Sequence, residues 1–167
     1  MKKYGSLLFA GLGFVLAVVS VILVVTGGGV AAGNSVFAPK YVLFAAPVEG
    51  SIGSWHISTK AFALSAVALT AWILGIVGAL GCCGAALLSL KPKKKKVTGL
   101  VAVAFVSALL LIAAGVMLFF APMNFAAANS FDTESTSWTL TGNWMAAAIL
   151  ALVGGVAACF AGLVSKK

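Results

Sequence analysis

The chain has 167 residues, of which 62% are apolar and only 8% charged. A water-soluble domain of this length needs far more polar surface, so this composition excludes one and indicates a membrane protein. The net charge of +8 does not point to nucleic acid: arginine is absent, and nine of the eleven lysines sit in three clusters. These are Lys2-Lys3, Lys91 with Lys93 to Lys96, and Lys166-Lys167, each beside an apolar span, as topogenic charges are.

The first apolar run, residues 7–25, covers about 28 Å at about 1.5 Å per residue, enough for the hydrocarbon core. It is longer than the ~7–15 apolar residues of a secretory signal, so a retained helix is expected. Cleavage after Ala31 or Ala32 is the alternative, and it would leave the other helices oriented the same way. Gly27-Gly28-Gly29 ends the run, and residues 26–60 form a first outer loop. Within it, Tyr41-Val42-Leu43-Phe44 has strand composition and Pro47-Val48-Glu49-Gly50 has turn composition. Residues 51–58 include the alternating Ser54-Trp55-His56-Ile57-Ser58, so the loop predicts a β-hairpin on the outer membrane surface.

The second span, residues 61–88, is longer than a bilayer requires, which predicts tilt or projection. Lys91-Pro92-Lys93-Lys94-Lys95-Lys96 follows in an inner loop, residues 89–96, where a proline and five like charges exclude a membrane position. The third span, residues 97–121, is expected to stop at Pro122. A second outer loop, residues 122–143, carries Asp132, Glu134 and the alternating Ser135-Thr136-Ser137-Trp138-Thr139-Leu140-Thr141. The fourth span, residues 144–164, stops before Lys166-Lys167.

This order places nine lysines on one side, and Lys40, Lys60, Glu49, Asp132 and Glu134 on the other. The positive-inside rule then predicts a multi-pass protein of the cell membrane with both termini cytoplasmic. The fold class is all-α membrane: one domain, residues 1–167, built as a four-helix bundle with a small extracytoplasmic β-hairpin or sheet. The two halves look alike, each an outward helix, an outer strand and an inward helix. Trp55 and Trp138 are expected at the outer interface, in strands of one sheet. Internal duplication and ordinary aromatic-belt chemistry both account for the likeness.

No predicted span contains Asp, Glu, Lys, Arg or His, which argues against an ion-coupled carrier. Small residues recur every four positions at Ala71, Gly75, Ala79 and Cys83, and again at Ala147, Ala151, Gly155 and Cys159. Such ridges let a neighbouring backbone approach closely. Packing within the chain is the favoured role, and self-association the alternative. Cys82, Cys83 and Cys159 all fall near inner helix ends, where small apolar packing or juxtamembrane acylation fits better than a disulfide framework. His56, Glu49, Asp132 and Glu134 have no spacing that requires a metal, and no paired nucleophile motif is present. No enzyme activity, cofactor or metal is expected. The partners expected are the lipid bilayer and either further copies of the chain or other membrane proteins, with no nucleic acid.

Four spans, inner termini, a longer first outer loop with strand character and a shorter second one resemble the claudin-like tetraspan architecture. The resemblance covers the whole chain as topology. In the first loop Trp55 stands alone without the Gly-Leu-Trp and paired cysteines of that group. It implies a small extracellular sheet on a left-handed four-helix bundle, and a role in adhesion, a paracellular barrier or an auxiliary subunit. Gly81-Cys82-Cys83-Gly84-Ala85 is similar to tetraspanins at the inner end of the second helix, although their large second outer loop has no counterpart. The expected function is association rather than catalysis, with a passive pore or transport subunit for a small neutral solute as the alternative.

Overall fold

A computed structural model of the chain describes residues 2–26, 29–32, 49–52, 55–58, 65–90, 97–129 and 138–166. In chain order these form α1 (Lys2–Thr26), β1 (Val30–Ala32), β2 (Glu49–Ile52), β3 (Trp55–Ser58), α2 (Ala66–Ser89), α3 (Val97–Ala128), β4 (Trp138–Leu140) and α4 (Gly142–Lys166). Four helices are each long and apolar enough to cross a membrane. Each packs along its chain neighbours, and α4 closes on α1, while α2 and α4 meet only slightly across the diagonal. The result is a square up-and-down bundle.

Its interior is stacked in three layers, and all four helices contribute to each. Val24, Ala71, Leu118 and Trp144 belong to the layer at the strand end. Ala17, Cys82, Leu111 and Ala158 belong to the middle one. Ala10, Ala85, Leu100 and Ala161 belong to the layer at the end where the lysine clusters fall. The core is dominated by alanine, and the large side chains point outward: Leu8 is 64% exposed, Leu80 66% and Leu109 67%. In water that arrangement would forfeit the main driving force of folding. In lipid it is the expected one, because small residues let helix backbones approach while large ones meet acyl chains. On α1 the stretch from buried Ser6 to Thr26 rises about 30 Å, the thickness of a hydrocarbon core.

Several boundaries differ from the sequence reading. α1 begins at Lys2 rather than residue 7, and α4 runs from Gly142 to Lys166 rather than from 144 to 164. α2 starts at Ala66 rather than 61, because Ser65 takes an extended conformation (φ −76°, ψ 108°) and caps it. The Ser65 hydroxyl accepts from the Ala68 amide at 3.2 Å, satisfying one of the amides that a helix start leaves without an internal partner. α3 does not stop at Pro122 but continues to Ala128. A mid-helix proline costs about 3 kcal/mol by its own chemistry. Beyond it, Phe125 and Ala126 are fully buried and Asn124 bonds to α2, so tertiary contacts offset the local loss.

The strands form two short antiparallel ladders. β2 pairs with β3 in the register Glu49↔Ser58 to Ile52↔Trp55, so the hairpin reverses between 52 and 55 rather than at 47–50. Residues 41–44, read as a strand, lie outside the described residues. β1 pairs with β4, Val30 opposite Leu140 and Ala32 opposite Trp138. Among the described residues Trp55 and Trp138 therefore belong to different ladders, and the single sheet expected for them does not form. Helix adjacency explains why. β1 leaves α1 and β4 enters α4, and those helices are neighbours; β3 precedes α2, which sits diagonally across from α4.

Candidate functional site

The two small-residue ridges both face the interior, against different partners. On α2, Ala71, Gly75 and Ala79 are buried and Cys83 is half-buried. A Cβ added at Gly75 would lie 3.3 Å from Val21 Cγ2 of α1. On α4, Ala147, Ala151 and Gly155 are buried and Cys159 is half-buried. A Cβ at Gly155 would lie 2.7 Å from Ile112 Cγ1 and 3.0 Å from the Ala108 carbonyl oxygen, so the backbones of α3 and α4 nearly touch there. Gly75 seats α2 on α1, and Gly155 seats α4 on α3.

Other close approaches escaped the four-residue pattern. Gly13 and Gly154 face each other across α1 and α4, where a Cβ on either would meet the other's carbonyl oxygen at 3.0 or 3.3 Å. A Cβ at Gly115 would lie 2.8 Å from the Ala148 carbonyl oxygen, and one at Gly78 would lie 2.8 Å from Leu111. A Cβ at Gly81 would collide with the Ser107 hydroxyl. The signal for part of this was in the sequence: Gly75, Gly78, Gly81 and Gly84 recur every three residues. Against a 3.6-residue turn, that spacing walks the ridge around α2 from the α1 side to the α3 side.

The sequence reading also passed over the serines. Ser6, Ser20, Ser65, Ser89 and Ser107 are all buried. The Ser20 hydroxyl donates to the Ala147 carbonyl at 2.7 Å, tying α1 to α4. Ser107 donates to the Val103 carbonyl of its own helix at 2.7 Å. At the same end as Ala85 and Leu100, the Ser6 hydroxyl lies 3.1 Å from the Ala161 carbonyl and 3.2 Å from the Ser89 hydroxyl, and Ser89 lies 2.9 Å from the Ala85 carbonyl, so two hydroxyl protons are shared among three contacts. This node joins α1, α2 and α4. A lone serine in an apolar helix is the sequence signal for such ties.

At the strand end, two helix termini are capped by side chains from other helices. Trp144 Nε1 donates at 3.0 Å to the Val24 carbonyl, which lies among the last carbonyls of α1 and so lacks a partner within the helix. Ser65 donates to Asn124 Oδ1 at 2.9 Å, and the Val67 amide points at the same oxygen from 3.5 Å. Where water is excluded, such caps supply bonds that the solvent cannot. Trp138 is half-buried and packs edge-on against Phe125, with ring centroids 5.4 Å apart.

The remaining candidates are placed as follows. Cys82 is buried in the middle layer, Cys83 and Cys159 are half-buried, and all three are free thiols. Trp55 and His56 lie in β3 and Glu49 in β2, while Asp132, Glu134, Lys91 and Lys93 to Lys96 lie outside the described residues. Among the described residues, no three His, Cys, Asp or Glu side chains gather as metal ligands would. The described interior thus offers serine hydroxyls, indoles, the Asn124 amide and the Cys82 thiol; Ser6, Ser20, Ser89, Ser107 and Trp144 reach backbone carbonyls, and Ser65 reaches Asn124. No protein-family model matches the chain, and no curated protein matches it in sequence.

Proposed function

We propose that this is a multi-pass membrane protein of the claudin-like tetraspan type. It works by association, as an adhesion, assembly or auxiliary subunit, and catalyses no reaction. One observation carries the reading: three layers of packed, buried residues lie along the bundle, each with members from all four helices. A bundle built in this way has its recognition surfaces on the outside, where the large apolar side chains lie. The lysine clusters support a cell-membrane orientation with both termini cytoplasmic and the ladders on the extracytoplasmic side. The partners are the bilayer, further copies of the chain or other membrane proteins.

The test is a pair of measurements on purified chain reconstituted into liposomes. Uncharged solutes such as glycerol and urea are expected to leak no faster than from protein-free vesicles. Subunit counting in the same bilayers is expected to show complexes of the chain with itself, or, where it is monomeric there, co-purification from native membranes is expected to retain a second membrane protein. Solute flux through the purified protein alone would overturn association in favour of a passive pore.

A further inference from the structure

We propose that the bundle is a strip of four helices closed by one weak seam, between α1 and α2, and that this seam opens at the strand end while α1 stays on α4. The proposal rests on the bundle lying in a bilayer and is independent of what the chain associates with. α1 is held along its length to α4, the helix most distant from it in sequence. The Ser6 hydroxyl lies 3.1 Å from the Ala161 carbonyl, the Ser20 hydroxyl 2.7 Å from the Ala147 carbonyl, and Trp144 Nε1 3.0 Å from the Val24 carbonyl. The first two contacts are fourteen residues apart on both helices, about 21 Å of rise, and Gly13 meets Gly154 between them. β1 then pairs with β4, which carries the same attachment past the helix ends.

α2 has no such hold on α1. The two are nearly as long as the α1–α4 pair, yet they touch least of the four neighbouring pairs. Among the described residues, one hydrogen-bonded contact joins them, Ser6 with Ser89 at 3.2 Å, at the end opposite the strands. The glycines differ in the same sense. At the other three seams an added Cβ would meet backbone of the next helix: the Gly154 carbonyl from Gly13, the Ala108 carbonyl from Gly155, the Leu111 amide nitrogen from Gly78. At the α1–α2 seam a Cβ on Gly75 would meet only a Val21 methyl, at 3.3 Å. Parting α1 from α2 in lipid forfeits dispersion contacts but no hydrophobic gain, because acyl chains are as apolar as the helix they replace. The least-packed seam therefore opens at the lowest cost, with the Ser6–Ser89 contact as its pivot. Opening turns Ala71 and Gly75 of α2 toward acyl chains and gives the strand-end half of the bundle a second state that a partner can select.

The test is double electron–electron resonance on the full chain in phosphatidylcholine nanodiscs, with Cys82, Cys83 and Cys159 replaced by alanine. Nitroxides are carried at exposed positions, and labelled chain is diluted with unlabelled chain so that only distances within one molecule are read. Ile22→Cys with Ile73→Cys spans the α1–α2 seam at the strand end, and Leu8→Cys with Leu87→Cys spans it at the other end. Ile22→Cys with Met145→Cys spans α1 and α4. Ile22 lies sixteen residues beyond Ser6, about 24 Å of rise, so a change of about 20° in tilt carries it about 8 Å. The Ile22–Ile73 pair is expected to show a second distance longer by about 8 Å, while the other two pairs each show one. Ser89→Ala removes the pivot and should give the Leu8–Leu87 pair a second distance as well. A single narrow distance for Ile22–Ile73, an equal spread for Ile22–Met145, or a Leu8–Leu87 pair unmoved by Ser89→Ala would each overturn the proposal.

Discussion

Alanine placed at Gly155, Gly75 or Gly11 makes the same chemical change in three surroundings. At Gly155 the new Cβ would sit 2.7 Å from Ile112 Cγ1 and 3.0 Å from the Ala108 carbonyl oxygen. The second neighbour is backbone within α3, so relief requires α3 and α4 to separate and lose contact along their shared length. At Gly75 the nearest atom is Val21 Cγ2 at 3.3 Å, a methyl that can give by a few tenths of an ångström. At Gly11 nothing lies within 4 Å. Overpacking costs about 1–3 kcal/mol, while Gly→Ala gains up to about 1 kcal/mol of helix propensity. Gly155→Ala is therefore expected to destabilise by on the order of 1 kcal/mol, Gly75→Ala to be near neutral, and Gly11→Ala to stabilise by about 0.5–1 kcal/mol. Denaturing-detergent titration followed by tryptophan fluorescence reads this, because Trp72, Trp138 and Trp144 all pack in or against one layer. Size in mild detergent shows whether a variant loses monomer stability or only self-association. If Gly155→Ala proves as stable as Gly11→Ala, the close seating of α4 on α3 is wrong.

Trp144→Phe keeps most of the ring but leaves the Val24 carbonyl without its donor, so a loss of about 1–3 kcal/mol is expected in the same titration. Ser65→Ala removes the cap of α2 and should cost about 1 kcal/mol; adding Asn124→Ala should cost less than the sum of the two single changes, because the pair shares one bond. Orientation is read by thiol labelling, with Cys82, Cys83 and Cys159 first replaced by alanine. Single cysteines at Gly50 and Ser130 should label in intact cells and one at Lys94 only after permeabilisation. Labelling of the Lys94 position from outside would reverse the topology.

The number and order of the helices were legible because bilayer thickness and charge bias act on single segments, with no need to know what packs where. Pro122 was misread for the complementary reason. Its penalty is local, whereas what carries α3 past it is not: Phe125 and Ala126 buried at the strand end, and Asn124 bonded to Ser65 far away in sequence. The ridges show the same divide. Four-residue spacing marks a face on which a backbone can approach, but not which backbone, and Gly75 went to α1 while Gly155 went to α3. Strand pairing followed helix adjacency, which no local pattern of serine, threonine and tryptophan encodes; β4 joined β1 because α4 stands beside α1.

The alanine-rich interior ties these readings to function. A soluble core concentrates its large side chains inside, where each buried methylene contributes about 0.8 kcal/mol. Here Leu8, Leu80 and Leu109 lie outside while Ala10, Ala17, Ala104 and Ala158 lie inside, because lipid removes the gain from hiding them. What then holds the helices is the number of close dispersion contacts together with a few bonds such as Ser20 to Ala147 and Trp144 to Val24. Such an interior has small side chains, and its serine hydroxyls bond to backbone carbonyls or to neighbouring side chains. The large side chains are left to the outer face, and the two ends are built differently. At one end the described residues gather Ser6, Ser89 and the Ala161 carbonyl; at the other they form the β1–β4 ladder, the capped helix termini and the aromatic contact of Phe125 with Trp138.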